Sequence, residues 1–207
     1  MPKSALRILL ISLSLFFFGC GTYQPKNAEL ITTTISEFAN PYFADISQDY
    51  VYKANIEVYG RNLGGIVIIK KVNEDTHRVV FTTDFGNKLI DFEVSADSFK
   101  LNFSVEGMDN KRFLSVLEND FRLLLQPNYS IGKTFVNQEE VIYGSNQKKG
   151  MLYLFENKSN DFLYQMIFAK KSKEKITFEF QNQEDILATH IEIVHRNMPF
   201  RMQLTKI

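Results

Sequence analysis

The sequence has no tryptophan and only one cysteine, Cys20, among its 207 residues. A single cysteine cannot form a disulfide within the chain, and no second thiol is present for a Cys-His nucleophile in the folded part. The chain also lacks a net charge, because 24 Lys and Arg residues balance 24 Asp and Glu residues. Nucleic-acid binding normally requires a net basic surface, so we expect no nucleic-acid partner.

Catalytic and metal-binding signatures are missing as well. The sequence contains no Gly-x-Ser-x-Gly, His-Glu-x-x-His, P-loop or Gly-x-Gly-x-x-Gly motif. His190 and His195 are five residues apart on one predicted strand, so they should face opposite sides and cannot bind one ion together. Asp91 and Glu93 share a strand face, but they alternate with apolar residues and indicate a solvated surface. We therefore expect no enzyme activity, no catalytic residue, no metal site and no cofactor.

The residues that are abundant indicate a folded chain with an apolar interior. Hydrophobic residues make up 44% of the sequence, charged residues 23%, and 19 residues are phenylalanine. This composition is typical of a globular protein, and the length suits one domain. Lysines cluster at residues 170–175 and 148–149, where turns are expected. They could contact anionic headgroups, but we favour the interpretation that they protect sheet edges from pairing.

The N-terminus carries the pattern of an export signal. Lys3 and Arg7 precede an apolar run at residues 8–18, which is shorter than the roughly 20 residues that a membrane-spanning helix needs. Gly19 and Cys20 follow this run directly. A basic start, a short apolar run and a small residue before cysteine resemble the lipobox of bacterial lipoproteins. The alternative is an ordinary secretory signal in which the cysteine has no role.

The resemblance to lipoproteins implies that Cys20 is acylated and becomes the mature N-terminus. The expected organisation is a lipoprotein signal peptide over residues 1–19, a lipid-anchored tether over residues 20–28, and a single domain over residues 29–207. Gly21 stands where an acidic residue resembles an inner-membrane retention signal, so the expected location is the outer membrane. No acidic cluster follows, which favours its periplasmic face.

The domain itself shows strand periodicity interrupted by one helix. Apolar residues alternate with polar ones over residues 51–105 and again over residues 151–206, which predicts about five strands in each part. Between them, residues 109–126 carry apolar side chains at helical spacing, with Asp109 or Asn110 as a cap and Pro127 after the end. Residues 127–138 are predicted to be a loop, and residues 32–43 could be a short helix or a first strand.

Ten antiparallel strands and one helix predict a mainly β, α+β fold. A sheet of this size curls, so we expect an unclosed half-barrel with the helix on its concave face. The gap between helix and sheet would be apolar and would suit an apolar ligand. The candidate lining residues are Ile66, Ile68, Phe81, Phe92, Phe103, Phe113, Leu117 and Phe121.

The order of elements over residues 59–126 resembles that of the lipoprotein-localisation factors LolA and LolB. In LolB-type receptors a strand, a loop with a Pro-Leu-Gly-like centre, two further strands and a helix follow one another. Here the loop reads Asp84-Phe85-Gly86-Asn87, so phenylalanine replaces the usual leucine and aspartate the usual proline. The resemblance implies that Phe85 and Gly86 form a membrane-insertion loop. The alternative is that Phe85 folds back over the core.

Two functions remain open from the sequence. The resemblance implies a monomeric carrier that receives acylated lipoproteins or lipids, with a LolA-like periplasmic chaperone as the possible donor, and helps insert them into the outer membrane. The alternative is a structural or assembly lipoprotein that binds another envelope protein through its sheet. That alternative predicts a filled core without a cavity.

Overall fold

The structure, a computed structural model, describes residues 21–183 and 186–207, with side chains omitted for residues 186 and 187. The predicted signal peptide and the acylation site at Cys20 lie outside the described residues. Within them the chain forms a first group of strands and then one helix. These elements are β1 (Glu29–Ile31), β2 (Glu37–Ala39), β3 (Asp49–Val58), β4 (Arg61–Lys71), β5 (His77–Thr82), β6 (Lys88–Val94), β7 (Phe99–Ser104) and α1 (Lys111–Leu125).

Seven further strands follow the helix. They are β8 (Asn128–Val136), β9 (Glu140–Gln147), β10 (Gly150–Asn157), β11 (Phe162–Lys170), β12 (Lys173–Gln183), β13 (Ile186–His195) and β14 (Phe200–Lys206). Their consecutive antiparallel pairing makes them one meander.

One antiparallel sheet contains all of these strands. Its order is β1-β8-β9-β10-β11-β12-β13-β14-β3-β4-β5-β6-β7, and β2 pairs separately with β8. The seam between the two meanders is the pair β14–β3, in which Phe200 lies opposite Val58. Strands β1 and β7 end the sheet without pairing to each other, so the predicted unclosed, curved sheet with a single helix is confirmed. No helix in the described part of the chain is long and apolar enough to cross a membrane.

The sheet is larger than the sequence predicted. Residues 128–136 form β8, so the prediction of a loop over residues 127–138 was wrong. Residues 37–39 are strand rather than helix, which decides the open question about residues 32–43 in favour of a strand. Both strands lie at the β1 end of the sheet, where β8 pairs with β1, β2 and β9.

The main core lies between the concave face of the sheet and α1. Alternate residues of each strand point into it, as Tyr52 and Ile56 of β3 do, because side chains alternate across a strand. From the helix, Phe121 packs edge-on against Phe92 of β6 with ring centroids 5.5 Å apart. The connection between β2 and β3 adds Phe43, whose ring is 2% exposed and packs edge-on against Tyr52.

A second, smaller core lies on the convex face of strands β8 to β11. The N-terminal segment of residues 21–31, here called the strap, crosses this face and covers it. The backbone N–H of Tyr23 donates to the Lys171 carbonyl at 2.8 Å, and the Tyr153 hydroxyl donates to the Tyr23 carbonyl at 2.8 Å. The strap then joins the sheet as β1. Residues 21–28, which the sequence predicted as a tether, therefore lie against the domain.

Candidate functional site

The C-terminal end of α1 is fixed to the domain by a buried amide. Asn40 donates from Nδ2 to the carbonyls of Leu124 at 2.9 Å and Gln126 at 3.0 Å. The Tyr129 hydroxyl donates to the carbonyl of Leu123 at 2.7 Å. The last carbonyls of a helix have no partners within the helix, so these bonds satisfy groups that would otherwise be buried without one.

A buried Asp–His pair ties the same helix to β13. The Nε2 atom of His195 lies 2.9 Å from Oδ2 and 3.0 Å from Oδ1 of Asp120. The Asp120 side chain is fully buried on the helix face that meets the sheet. Burial raises the pKa of the Asp120 carboxyl, and the contact with His195 opposes that shift. The pair joins residues 75 positions apart, so the only sign of it in the sequence is a carboxylate inside the apolar stripe of the helix.

The N-terminal half of α1 is held less firmly than the C-terminal half. Asn110 caps the helix by accepting a hydrogen bond from the Arg112 N–H at 2.9 Å, as predicted. Phe113 is only partly buried, whereas Leu124 is fully buried. Near the other end, Arg122 donates to the carbonyls of Ser95 and Ala96 in the β6–β7 turn. The polar contacts that anchor the helix are therefore concentrated at its C-terminal half.

The structure brings four of the predicted lining residues together in the main core. Phe81, Phe92, Leu117 and Phe121 are each no more than 3% exposed and pack between the sheet and α1. Phe113 is partly buried against the same core. These residues fill the interior in this conformation.

The other three predicted lining residues lie on the convex face. Val67 and Ile69 point into the core, so their neighbours Ile66 and Ile68 point away from it. Phe103 pairs with Asp91 across strands β7 and β6 and is 42% exposed. None of the three faces the helix.

Two surface cavities among the described residues have walls of mixed polar and apolar character. One of about 420 Å³ lies beside α1 and the β9–β10 turn, where Glu118, Arg122 and Lys149 contribute to its lining. A second, of about 370 Å³, lies where residues 41–48 meet Tyr52. Neither is lined by the residues predicted to form an apolar cavity.

The turn between β5 and β6 presents Phe85 to solvent. Its side chain is 93% exposed, which decides against the alternative that it folds back over the core. The turn is closed by the Gly86 N–H donating to the Thr83 carbonyl at 3.0 Å, and Gly86 has a φ of 83° that favours glycine. Asp84 forms an ion pair with Lys53 of β3 beneath the turn. A turn held in this way keeps the aromatic ring away from the rest of the molecule.

On the convex face, Asp91 occupies a buried charged cluster. Arg78 donates to it through Nε at 2.9 Å and through Nη2 at 2.6 Å, and Lys88 donates at 2.9 Å. The carboxylate is only 1% exposed, so the prediction of a solvated position was wrong for Asp91. The hydrogen bonds from Arg78, followed by those from Lys88 and Asn102, hold the pKa of the carboxyl well below its usual range. The Lys88 ammonium also lies 5.5 Å from the Phe103 ring centroid.

The histidines are separated as predicted. His195 faces α1, whereas His190 on the other face lies 3.1 Å from the Thr205 hydroxyl. His77 is buried, with Nε2 2.9 Å from the Phe43 carbonyl. Among the described residues, no three His, Cys, Asp or Glu side chains are grouped so that they could hold a metal ion.

Comparison with solved structures shows a known fold. A LolA superfamily protein from Nitrosomonas europaea superimposes with a TM-score of 0.51 over 80% of this chain and 86% of the other, at 8% identity. A DUF1329 family protein from Desulfovibrio piger gives a TM-score of 0.44 at 10% identity over 79% and 85% of the two chains. No family model and no curated protein matches the sequence. At this identity the likeness shows the fold alone, and the predicted LolA/LolB-type fold is confirmed at that level.

Proposed function

We propose that this chain is a lipid-anchored binding protein of the outer membrane, facing the periplasm, which accepts acyl chains and helps place them in the bilayer. The single observation that carries the proposal is the exposed Phe85 on a closed hairpin turn. An aromatic ring held in solvent leaves its apolar surface in contact with water, which is unfavourable for the free protein. At a membrane interface the same ring is stabilised. The LolA-superfamily fold supports this assignment.

The acyl chains would enter between α1 and the concave face. The side chains there are aromatic and aliphatic, and the helix is held mainly at its C-terminal half. Displacing its N-terminal half would open the core beside Phe113 without breaking the Asp120–His195 pair. Burial of an acyl chain contributes about 0.8 kcal/mol for each CH₂ group. Transfer can therefore be driven by differences in burial between donor, receptor and membrane, without a covalent step. The donor would be an acylated lipoprotein on a LolA-like carrier, and the receptor would act as a monomer.

Native mass spectrometry of the mature chain with Cys20→Ala, mixed with a triacylated lipopeptide, tests this function. We expect one lipopeptide to bind each protein and to move on to liposomes. Phe85→Glu should retain binding but lose transfer, because a carboxylate at the tip opposes entry into the interface. Ile46→Glu is the matched control, since Ile46 is also exposed but belongs to the connection before β3.

Photo-crosslinking locates the bound chain. A photoreactive phenylalanine at position 113 should crosslink to the lipopeptide, whereas one at position 103 on the convex face should not. Failure of the folded protein to bind any lipopeptide would exclude the carrier function.

A second candidate function is favoured by the packing of the core. Phe81, Phe92, Leu117 and Phe121 fill the interior, and this is what an assembly lipoprotein without a ligand cavity would show. Such a protein would bind another envelope protein through its sheet. A folded protein that binds no lipopeptide would be the result expected for this candidate.

A further inference from the structure

One edge of the sheet gathers four consecutive hairpin turns. In an antiparallel sheet alternate turns lie at the same edge, and the order of the strands brings together the turns β11–β12, β13–β14, β3–β4 and β5–β6. The β9–β10 turn does not belong to this group, because the curl of the sheet brings it to the β6–β7 turn, where Lys148 forms an ion pair with Asp97 at 2.8 Å. Backbone hydrogen bonds link neighbouring turns along this edge. The Arg196 N–H donates to the Lys175 carbonyl at 2.9 Å, and the Tyr59 N–H donates to the Pro199 carbonyl at 3.1 Å.

The charge of this edge differs from that of the opposite one. The β11–β12 turn is bounded by three exposed lysines, and the next turns add two exposed arginines; together they are Lys170, Lys171, Lys173, Arg196 and Arg61. No carboxylate of the described residues lies within ion-pair distance of these five. The turns at the opposite edge include the acidic residues Glu74, Asp75 and Glu139 as well as lysines, so that edge has no comparable cluster of unpaired positive charge among the described residues.

Two exposed aromatic residues lie on the same edge. Phe85 is 93% and Tyr59 is 70% exposed. Tyr59 and Gly60 form the two-residue turn between β3 and β4, with φ values of 48° and 76°. Turns of this type favour asparagine at the first position, and a left-handed conformation is costly for a bulky residue. A tyrosine at this position therefore does not serve the stability of the turn.

The strap places Gly21 at this edge. Tyr23 is bonded to the Lys171 carbonyl, and a Cβ atom placed on Gly21 would lie 3.7 Å from Cβ of Ser172. The first described residue therefore lies beside the β11–β12 turn.

We propose that this edge, here called the basic edge, is a membrane-docking surface that binds anionic phospholipid headgroups. The lysines of the β11–β12 turn contact the headgroups, while Tyr59 and Phe85 enter the interface. The basic edge therefore has a role beyond the protection of the sheet, which is the interpretation that the sequence alone favoured. The inference rests on the proposed membrane location but does not require acyl transfer.

Vesicle binding by the unlipidated mature chain, with Cys20→Ala, tests the inference without the anchor and without any lipopeptide. We expect sedimentation with vesicles of phosphatidylcholine and phosphatidylglycerol, weakening as salt is added, and little sedimentation with phosphatidylcholine alone. The triple variant Lys170→Gln, Lys171→Gln, Lys173→Gln should lower the partition coefficient about a hundredfold, or about fivefold for each lysine.

The matched control changes the same charge at the opposite edge. Lys70→Gln, Lys158→Gln, Lys206→Gln should stay within about threefold of the original protein. Equal losses in both triple variants would mean that net charge alone drives binding, and the basic edge would be rejected. The same holds if the original protein shows no preference for anionic vesicles.

Single-tryptophan reporters give an independent readout, because the sequence has no tryptophan. Tyr59→Trp and Phe85→Trp should show a blue shift of emission on anionic vesicles, whereas Val72→Trp on the opposite edge should not. In addition, Tyr59→Asn should raise the melting temperature while it weakens vesicle binding. A blue shift at Val72→Trp equal to that at Tyr59→Trp would overturn the proposed orientation.

Discussion

At the scale of single residues, two carboxyl groups of this protein are buried, and they differ in the partners that surround them. Asp91 receives hydrogen bonds from Arg78 and Lys88 on the convex face. Asp120 meets only His195, and it does so inside the core. The two carboxyl groups consequently have pKa shifts of opposite direction, down for Asp91 and up for Asp120.

Asp91→Asn should lower the free energy of unfolding by about 2 kcal/mol at neutral pH, because charge-assisted hydrogen bonds are lost. The folded-state pKa of Asp91 is depressed, so its contribution is present above the unfolded pKa of about 4 and is lost as the pH falls through the folded value. The difference between the two proteins should therefore narrow below about pH 4. Urea unfolding of both proteins between neutral pH and about pH 3 measures this difference in the free energy of unfolding. A difference that stays constant with pH would contradict a depressed pKa for Asp91.

The sequence predicted the faces of residues well only where apolar and polar residues alternate. Residues 66–69 are four consecutive apolar residues. The alternation of side chains along a strand therefore does not show which two of them point into the core. The choice of Ile66 and Ile68 as lining residues shows this, since Val67 and Ile69 occupy the core. The exposure of Phe85 was likewise open from the sequence, because it depends on the turn bonds that hold the ring outward.

At the scale of elements, α1 is the part best predicted from the sequence. Its stripe, its cap at Asn110 and its end before Pro127 are all local signals, and the structure confirms them. Strand β8 was missed because Pro127 and Gly132 suggest a loop, and a bulge between Ile131 and Lys133 breaks the alternation. The short strands β1 and β2 contain too few residues to show a period.

Replacing an asparagine by alanine should lower the free energy of unfolding more at the C-terminal end of α1 than at its N-terminal end. Asn40→Ala removes the donor to the Leu124 and Gln126 carbonyls in a buried site and should cost about 3 kcal/mol. Asn110→Ala removes an exposed cap and should cost about 1 kcal/mol. Thermal and urea unfolding of both variants test the comparison. Equal costs would show that the C-terminal end of the helix is not the anchored end.

At the scale of the whole molecule, the strap makes the convex face of β8 to β11 a second interior. Tyr23 packs edge-on against Tyr153 with ring centroids 4.9 Å apart, over a cluster that includes Phe135 and Phe155. The sequence could not predict this, because β10 and β11 are buried on both faces and a short polar N-terminal segment resembles a free tether. The strap is therefore part of the folded domain.

Tyr23→Ser should lower the free energy of unfolding by about 2 kcal/mol and expose the second core. Gln24→Ser, at the exposed neighbouring position, should change it by no more than about 0.5 kcal/mol. Chemical unfolding measures the stability, and binding of a dye for apolar surfaces reports exposure of the convex face. Identical behaviour of the two variants would show that the strap contributes nothing to the fold.

The β14–β3 seam places β14, which follows the other described strands in the chain, in the middle of the sheet. The β3–β7 and β8–β14 meanders can each form from near neighbours in the chain, but they can join only when Phe200–Lys206 is available. Without β14, strands β13 and β3 would each have an unpaired edge in the middle of the sheet. Such edges are templates for aggregation, so a single strand protects both halves of the molecule from intermolecular pairing.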